Sequence, residues 1–199
     1  MKHKSEQLKK ILDEIWKLKE SPLYAYRKAN NYYPVIGEGN HDTKIMFIGE
    51  APGKNEAEQG RPFVGAAGKI LVELLAHIGL AREDVYISNI VKDRPPENRD
   101  PTGEEIELYA PFLDRQIAII QPAVIATLGR FSMSYLLTRY NAPEKDQSIS
   151  KLHGSVIPIS DDFGEVSLVP LYHPAVALYN ANQKTTLKKD FEVLKQFLS

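Results

Sequence analysis

A carboxylate, a carboxamide and an imidazole stand at or beside the ends of three apolar runs of this chain. Glu50 follows "KIMFIG", Asn89 lies near the end of "VYISNIV", and His173 follows "VSLVPLY". After Glu50 comes a glycine-rich loop, "APGKNEAEQGRPFVGAAG", with one phenylalanine, Phe63, in its middle. A charge at the end of a buried-looking run beside a mobile-looking loop is typical of a binding site.

The glycine-rich loop raises the question of nucleotide binding, because such loops cradle phosphates. No G-x-x-x-x-G-K-[ST] motif is present, and the dinucleotide fingerprint G-x-G-x-x-G is absent as well. "GAAG" (65–68) precedes a helical pattern, so it is either a tight turn with close helix packing or a helix N-terminus that receives a phosphate.

The elements that position these residues alternate between strands and helices. Four apolar runs are continuous rather than alternating, which is typical of parallel strands buried on both faces: 44–49, 85–91, 123–129 and 166–172. Helical patterns lie between and after them, at 66–80, 102–121, 130–140 and 183–198. The sequence predicts a three-layer α/β/α fold with a central, mainly parallel four-stranded sheet, and "HGSVIPI" (153–159) as a short extra strand or hairpin.

Ligands of such folds bind at the carboxyl ends of the strands. The first, second and fourth predicted strands deliver Glu50, Asn89 and His173 to those ends. We therefore expect the three polar groups and the glycine-rich loop to meet on one rim of the sheet.

Length and composition set further limits. The 199 residues predict a single domain, residues 1–199, with an amphipathic N-terminal helix at about 5–20. Without cysteine there is no disulfide and no thiolate metal site. No apolar stretch is long enough to span a membrane and no secretory signal is seen, so we expect a cytoplasmic protein. The net charge of −1 requires that any contact with DNA use a local patch.

Three ordered motifs make a family recognisable. "GEAPGKNEAEQGRPFVGAAGKIL", "NIVKDRPPENRDPT" and "HPA" at 173–175 resemble the family-4 uracil-DNA glycosylases, over about residues 21–198. The resemblance implies a monofunctional enzyme that hydrolyses the N-glycosidic bond of deoxyuridine in DNA and leaves an abasic site, the first step of base excision repair. It also implies DNA containing uracil as the partner and a monomeric enzyme.

The resemblance implies two catalytic residues. Glu50 matches the acidic residue, which stabilises the oxocarbenium-like sugar and orients the attacking water. His173 matches the histidine that donates a hydrogen bond to uracil O2 as negative charge develops there. From the residues alone, a capping glutamate and a structural histidine remain alternatives.

The resemblance also implies how the base is held. Phe63 matches the aromatic that stacks on the everted base, and Asn89 matches the carboxamide that reads uracil. Glu56 matches a carboxylate near uracil C5, and backbone N–H groups around Ala51 to Gly53 are expected to hold the base or the water. Taken alone, Phe63 could equally be a core residue and Asn89 a strand-end cap.

One departure from the family concerns its iron–sulfur cluster, which four cysteines bind. The corresponding positions are Ser21, Tyr24, Asp93 and Tyr109, none of which ligates iron as a thiolate does. We therefore expect no metal and no other cofactor, with tyrosines and polar contacts in the space of the cluster.

The candidate DNA-binding residues lie in two segments of the sequence. Lys92 and Arg94 lie in a rim loop and are expected to contact phosphates, although most charged residues are simply solvated. The segment after His173, "PAVALYN", has Tyr179 where arginine is common, so Leu178 or Tyr179 is expected to act as the wedge in the duplex. A weak wedge would favour single strands or U·G mismatches.

Two other functions fit the same residues. One is a glycosylase for another deaminated base, hypoxanthine or xanthine. The other is a non-catalytic DNA-binding relative, which would have little need for a carboxylate that orients water.

Overall fold

The computed structural model describes residues 2–198, apart from the side chains of residues 2 and 181, and its centre is one six-stranded sheet. The strands are β1 (Glu38–Gly39), β2 (Ile45–Gly49), β3 (Tyr86–Asn89), β4 (Val124–Leu128), β5 (Ile157–Asp161) and β6 (Gly164–Leu171). Their order across the sheet is β1-β3-β2-β4-β6-β5. Neighbours among β3, β2, β4 and β6 pair in parallel, whereas β1 and β5 join the two edges antiparallel.

The predicted four-stranded sheet is corrected to six strands, and its mainly parallel character is confirmed. The four apolar runs form the four parallel strands. β5 overlaps the extra strand predicted at 153–159. The sequence does not predict β1, because this strand has only two residues. One of them, Gly39, has a φ of 126°, which is open mainly to glycine.

Helices cover both faces of the sheet. They are α1 (Lys2–Trp16), α2 (Tyr24–Ala29), α3 (Lys54–Gln59), α4 (Ala66–His77), α5 (Gly103–Ile120), α6 (Arg130–Arg139), α7 (Ile149–Leu152), α8 (Val176–Tyr179) and α9 (Ala181–Glu192). Short 3₁₀ turns lie at Arg82–Asp84, Pro96–Asn98 and Val193–Phe197. Within residues 2–198, no helix has the length and apolarity needed to cross a bilayer.

Side chains alternate between the two faces of each strand, which divides the hydrophobic core into two clusters, one on each face of the sheet. Met46 and Ile48 of β2 face the hydrophobic cluster formed with α1, α5 and α6, whereas Phe47 faces the cluster formed with α4 and α9. The rings of Phe47 and Phe191 stack with centroids 5.8 Å apart. Both faces of the parallel strands are therefore buried, and the predicted three-layer α/β/α fold is confirmed.

The predicted helix bounds shift at both ends of the chain. The N-terminal helix, expected at about 5–20, is α1 and ends at Trp16. The helix expected at 183–198 is α9, which ends at Glu192 and passes into the 3₁₀ turn. α5 begins as predicted: Thr102 Oγ1 accepts from the Glu105 backbone N–H at 3.2 Å, and Glu105 Oε2 accepts from the Thr102 backbone N–H at 2.9 Å.

Candidate functional site

A cavity of about 460 Å³ opens at the carboxyl ends of β2, β3 and β6. All residues predicted for catalysis and base binding line this one cavity: Glu50, Ala51, Gly53, Glu56, Phe63, Asn89 and His173. Three strand tips and the glycine-rich loop thus meet on one rim, as the topology of parallel strands requires.

Phe63 reaches the cavity through an unusual backbone. Its φ is 49°, in the left-handed region that a phenylalanine rarely adopts, and its side chain is buried. Two glycines make room for it. A Cβ on Gly68 would lie 1.9 Å from the Phe63 carbonyl oxygen, and a Cβ on Gly49 would lie 2.8 Å from its Cζ. The glycines of this stretch therefore allow close approach of the aromatic residue to the strand and the helix.

Two charged side chains hold the Phe63 loop. Glu56 Oε1 accepts from the backbone N–H groups of Val64, at 2.9 Å, and Gly65, at 2.8 Å. On the other side, Arg82 Nη1 donates to the Phe63 carbonyl at 2.9 Å, and its Nη2 donates to the carbonyl of Pro62. The ring is thus presented to the cavity by a loop that is fixed on both sides.

Asn89, the last residue of β3, is 1% exposed, and its Oδ1 has no hydrogen-bond partner among the described residues. A Cβ on Gly49 would lie only 2.4 Å from that oxygen, so a side chain on the adjacent strand would block it. A buried acceptor without a donor is costly, at about 1–3 kcal/mol. The cavity therefore offers an acceptor that a ligand N–H can satisfy.

His173 presents a defined nitrogen. The backbone N–H of Ala175 donates to its Nδ1 at 3.2 Å, so the neutral ring carries its proton on Nε2. Burial lowers the pKa of His173 to about 4, although the charge of Glu56 opposes this. The ring centroid is 5.7 Å from that of Phe63. At neutral pH, His173 is an uncharged donor through Nε2 at the edge of the aromatic surface.

Glu50 has the opposite shift. Its pKa is raised to about 7, mainly by burial and also by the negative charge of Asp100, against the positive charge of Arg130, which lowers it. Asp100, which lines the cavity, pairs with Arg130 at 2.6 Å. A carboxyl group with a pKa near neutrality exchanges protons readily at pH 7, as a general base must.

The structure adds residues that the sequence reading missed. Asn98 and Asp100 line the cavity from the loop after β3, and Ala67 and Ala175 line it from the segments beside Phe63 and His173. The rule that ligands bind beyond strand ends could have found the first two. The remaining two contribute only small apolar groups, which no motif marks.

The structure contradicts one of the four predicted DNA contacts and leaves the other three as predictions. Lys92 is 0% exposed, so the prediction that it meets a phosphate is wrong. Arg94 is half-buried, and its guanidinium donates to Asn98 Oδ1 at 2.7 Å. Leu178 and Tyr179, in α8, are exposed, the latter by 88%, and Tyr179 lines the cavity mouth.

A buried polar network occupies the positions that correspond to cluster ligands. The Asp93 carboxylate pairs with Nη1 of Arg27 at 2.8 Å, and Tyr109 OH donates to its Oδ2 at 2.6 Å. Ser21 Oγ lies 2.8 Å from Tyr109 OH, and the Arg27 guanidinium stacks on the ring of Tyr24. These residues do not fit an iron–sulfur cluster, because they offer no thiolate and their oxygens are already bonded.

The described residues offer no other ligand set for a metal. In the part of the chain from residue 2 to 198, no three His, Asp or Glu side chains are grouped closely enough to hold a metal ion.

The chain is similar to known proteins over nearly its whole length. The family model "Uracil DNA glycosylase superfamily" matches residues 36–196. The type-4 uracil-DNA glycosylase of Saccharolobus solfataricus is 47% identical over 195 residues, covering 98% of this chain and 88% of the relative. Those of Archaeoglobus fulgidus and Thermotoga maritima are each 42% identical, covering 94% and 97% of this chain and 91% and 96% of the relatives. The chain therefore belongs to the uracil-DNA glycosylase superfamily.

Proposed function

We propose that this protein is a monofunctional uracil-DNA glycosylase, which hydrolyses the N-glycosidic bond between uracil and deoxyribose and leaves an abasic site for base excision repair. One observation carries the proposal: a carboxylate, a carboxamide, an imidazole and a phenyl ring enclose a single cavity. The full-length similarity to type-4 uracil-DNA glycosylases supports it.

The base enters the cavity after leaving the stack, because its glycosidic bond is out of reach inside a duplex. Phe63 stacks on the face of the everted base. Glu56 faces C5, where its carboxylate disfavours the methyl group of thymine. The backbone N–H groups of Ala51 and Gly53, which line the same cavity, hold the base or the water.

Asn89 reads the edge of the base. Its free Oδ1 accepts from uracil N3–H, and its amide group donates to O4. Cytosine has an acceptor at N3 and a donor at C4, so both hydrogen bonds would become clashes of like groups. Each buried group left unsatisfied costs about 1–3 kcal/mol, which is enough to exclude cytosine.

His173 and Glu50 carry out the cleavage. As the bond to the sugar breaks, negative charge grows on uracil O2 and the Nε2–H of neutral His173 stabilises it. The sugar becomes oxocarbenium-like, and the Glu50 carboxylate stabilises that cation and takes a proton from the attacking water. The lowered pKa of His173 and the raised pKa of Glu50 suit a neutral donor and a base, respectively.

The DNA is held around the cavity mouth. Arg94 contacts the phosphate backbone, and Leu178 or Tyr179 fills the gap that the everted base leaves. The exposure of the two α8 side chains beside the cavity supports this role. The enzyme acts as a monomer, and it prefers single strands or U·G mismatches, where eversion costs least.

The enzyme works without a metal cluster. The network of Arg27, Asp93, Tyr109 and Ser21 takes the structural place of the cluster. It connects the end of α1, to whose Trp16 carbonyl Arg27 donates at 2.8 Å, with α2, α5 and the loop after β3. That loop carries residues of the cavity wall, so the network supports the site from a distance.

The activity is tested with oligonucleotides that carry uracil, hypoxanthine or xanthine, in single strands and in mismatched duplexes. After incubation, alkali cleaves the abasic sites and the fragments are counted. We expect strand scission at uracil only. Scission at another base would assign a different substrate, and binding without scission would assign a non-catalytic role.

Replacement of the imidazole tests the electrostatic role. His173→Ala removes the donor to O2, so uracil release should slow by about 100-fold or more, while affinity for DNA changes little. Single-turnover rates and binding to abasic-site DNA measure the two effects. His77→Ala, which removes an exposed hydrogen bond with Glu192, is the control and should keep the wild-type rate. Full activity of His173→Ala would exclude this role.

The pH dependence follows from Glu50. The carboxylate is the active form and its pKa is raised to about 7, so kcat/KM should rise up to about pH 7 and then level off. At pH 5 it should be about 100-fold below the plateau, because each unit below the pKa removes a factor of ten.

Two charged residues, Asp100 and Arg130, shift the pKa of Glu50 in opposite directions and so test whether Glu50 causes the acidic limb of the pH profile. Asp100→Asn removes a negative charge, which lowers the pKa of Glu50 and moves the acidic limb to lower pH. Arg130→Gln removes a positive charge and moves the limb to higher pH. If both variants keep the wild-type profile in low salt, the limb does not report Glu50.

The buried network predicts strong energetic coupling between its two charged residues, Arg27 and Asp93. Asp93→Asn and Arg27→Met should each lower the free energy of unfolding by about 3–5 kcal/mol, because each leaves a buried partner unpaired. The double variant should lose clearly less than the sum, which urea unfolding measures. Glu14→Gln, which removes an exposed pair with Arg115, should cost about 1 kcal/mol or less. Additive losses, or stoichiometric iron in the purified protein, would contradict the proposal.

A further inference from the structure

Lys92 is a buried lysine that the reaction described above does not use. Its side chain is 0% exposed, and within the described residues its amino group makes no ion pair. Burial lowers the pKa of the Lys92 amino group well below its usual range, and the charge of Asp114 opposes this. A lysine is a costly way to fill a core, so its hydrogen bonds indicate what it does.

The amino group faces three oxygen atoms. Nζ donates to the main-chain carbonyl of Asn89 at 2.5 Å, to Gln116 Oε1 at 2.5 Å and to Ser88 Oγ at 2.9 Å. All three come from the segment that ends in the base-reading residue or from the helix packed against it.

The surroundings leave these oxygens only the role of acceptors. Gln116 uses its amide N–H groups on the carbonyl of Ile36, at 2.8 Å, and on Tyr86 OH, at 3.2 Å, so its oxygen points to Lys92. Ser88 donates its own proton to the same Ile36 carbonyl at 2.7 Å. Three acceptors around one nitrogen need three N–H bonds, and the lysine side chain is the one that supplies three from a single atom when it is protonated.

We propose that Lys92 is a positioning residue for base recognition, whose amino group fixes the main chain at Asn89 and so directs the Asn89 carboxamide at uracil. The proposal rests on the proposed function, since it assigns Lys92 to the same pocket. It replaces the surface role that the sequence indicated for this lysine.

The position of Asn89 depends on its main chain because, within residues 2–198, its side-chain oxygen has no partner before the base arrives. The sheet holds one side of the strand tip, where the Ile90 backbone N–H donates to the Gly49 carbonyl at 3.1 Å. Lys92 holds the carbonyl of Asn89 itself and ties it to α5 through Gln116. A misplacement of about 1 Å at a reacting group can cost about 100-fold in rate, so such an anchor bears directly on selectivity.

The test compares Lys92→Met with Tyr86→Phe. Methionine fills similar space but donates no hydrogen bond, whereas Tyr86→Phe removes a hydrogen bond from Gln116 at the far side of the same network. In single-turnover assays well below the melting temperature, Lys92→Met should release uracil about 30-fold or more slowly, by the cost of misplacement. Its affinity for abasic-site DNA should stay within about twofold, because no phosphate contact changes. Tyr86→Phe should lose stability and keep its rate.

Chemical rescue separates positioning from general damage. The chain has no cysteine, so Lys92→Cys carries its only thiol. Aminoethylation of the unfolded variant, followed by refolding, restores an amine at the length of lysine. We expect the aminoethylated protein to recover the rate to within about threefold and the unmodified protein to remain slow, since the amine supplies the missing donors.

Free uracil gives a measurement that needs no turnover. In Lys92→Met, the affinity for free uracil and the chemical shift of the Asn89 side-chain amide in NMR spectra should both differ from the wild type. In Tyr86→Phe, both should stay as in the wild type. Unchanged resonance and wild-type rates in Lys92→Met would overturn the proposal while leaving the glycosylase assignment intact. If the wild-type protein released no uracil from DNA, the proposed function would fall, and the Asn89 resonance would still decide whether Lys92 positions that side chain.

Discussion

The parallel register of the central strands is the constraint on which the site depends. β2 and β3 pair so that Gly49 lies opposite Asn89, and Glu50 follows directly. Side chains alternate between the two faces of a strand, so a slip of one residue would turn Asn89 away from the pocket and bring Ser88 to its place. Burial of apolar residues on both faces fixes the register. The register in turn fixes the positions of the functional side chains at the strand ends.

Removal of charges from water gives the site its acid–base character. The same desolvation raises the pKa of Glu50 and lowers that of His173, because both shifts disfavour the charged form. Neighbouring charges only adjust the result. Burial in the pocket thus provides a neutral hydrogen-bond donor and a carboxyl group near half-ionisation.

The sequence predicted the parallel strands and the residues at their ends because both depend on local patterns: continuous apolar runs, and polar groups that follow them. It failed where a side chain's environment is set by distant segments. The sequence predicts a surface cation at Lys92, because nothing nearby in the sequence shows that Gln116, on α5, accepts a hydrogen bond from its amino group. The joining of Arg27 to Asp93, 66 residues apart, was equally invisible, as was the two-residue edge strand β1.

The Arg27–Asp93–Tyr109 network has a consequence for the conditions under which the protein can work. Iron–sulfur clusters are assembled from scarce iron and are lost when oxidants attack the cluster or its thiolates. Arginine, aspartate and tyrosine side chains form their contacts during folding and need no proteins that assemble and insert a cluster. A repair enzyme built in this way keeps its framework during iron starvation and oxidative stress.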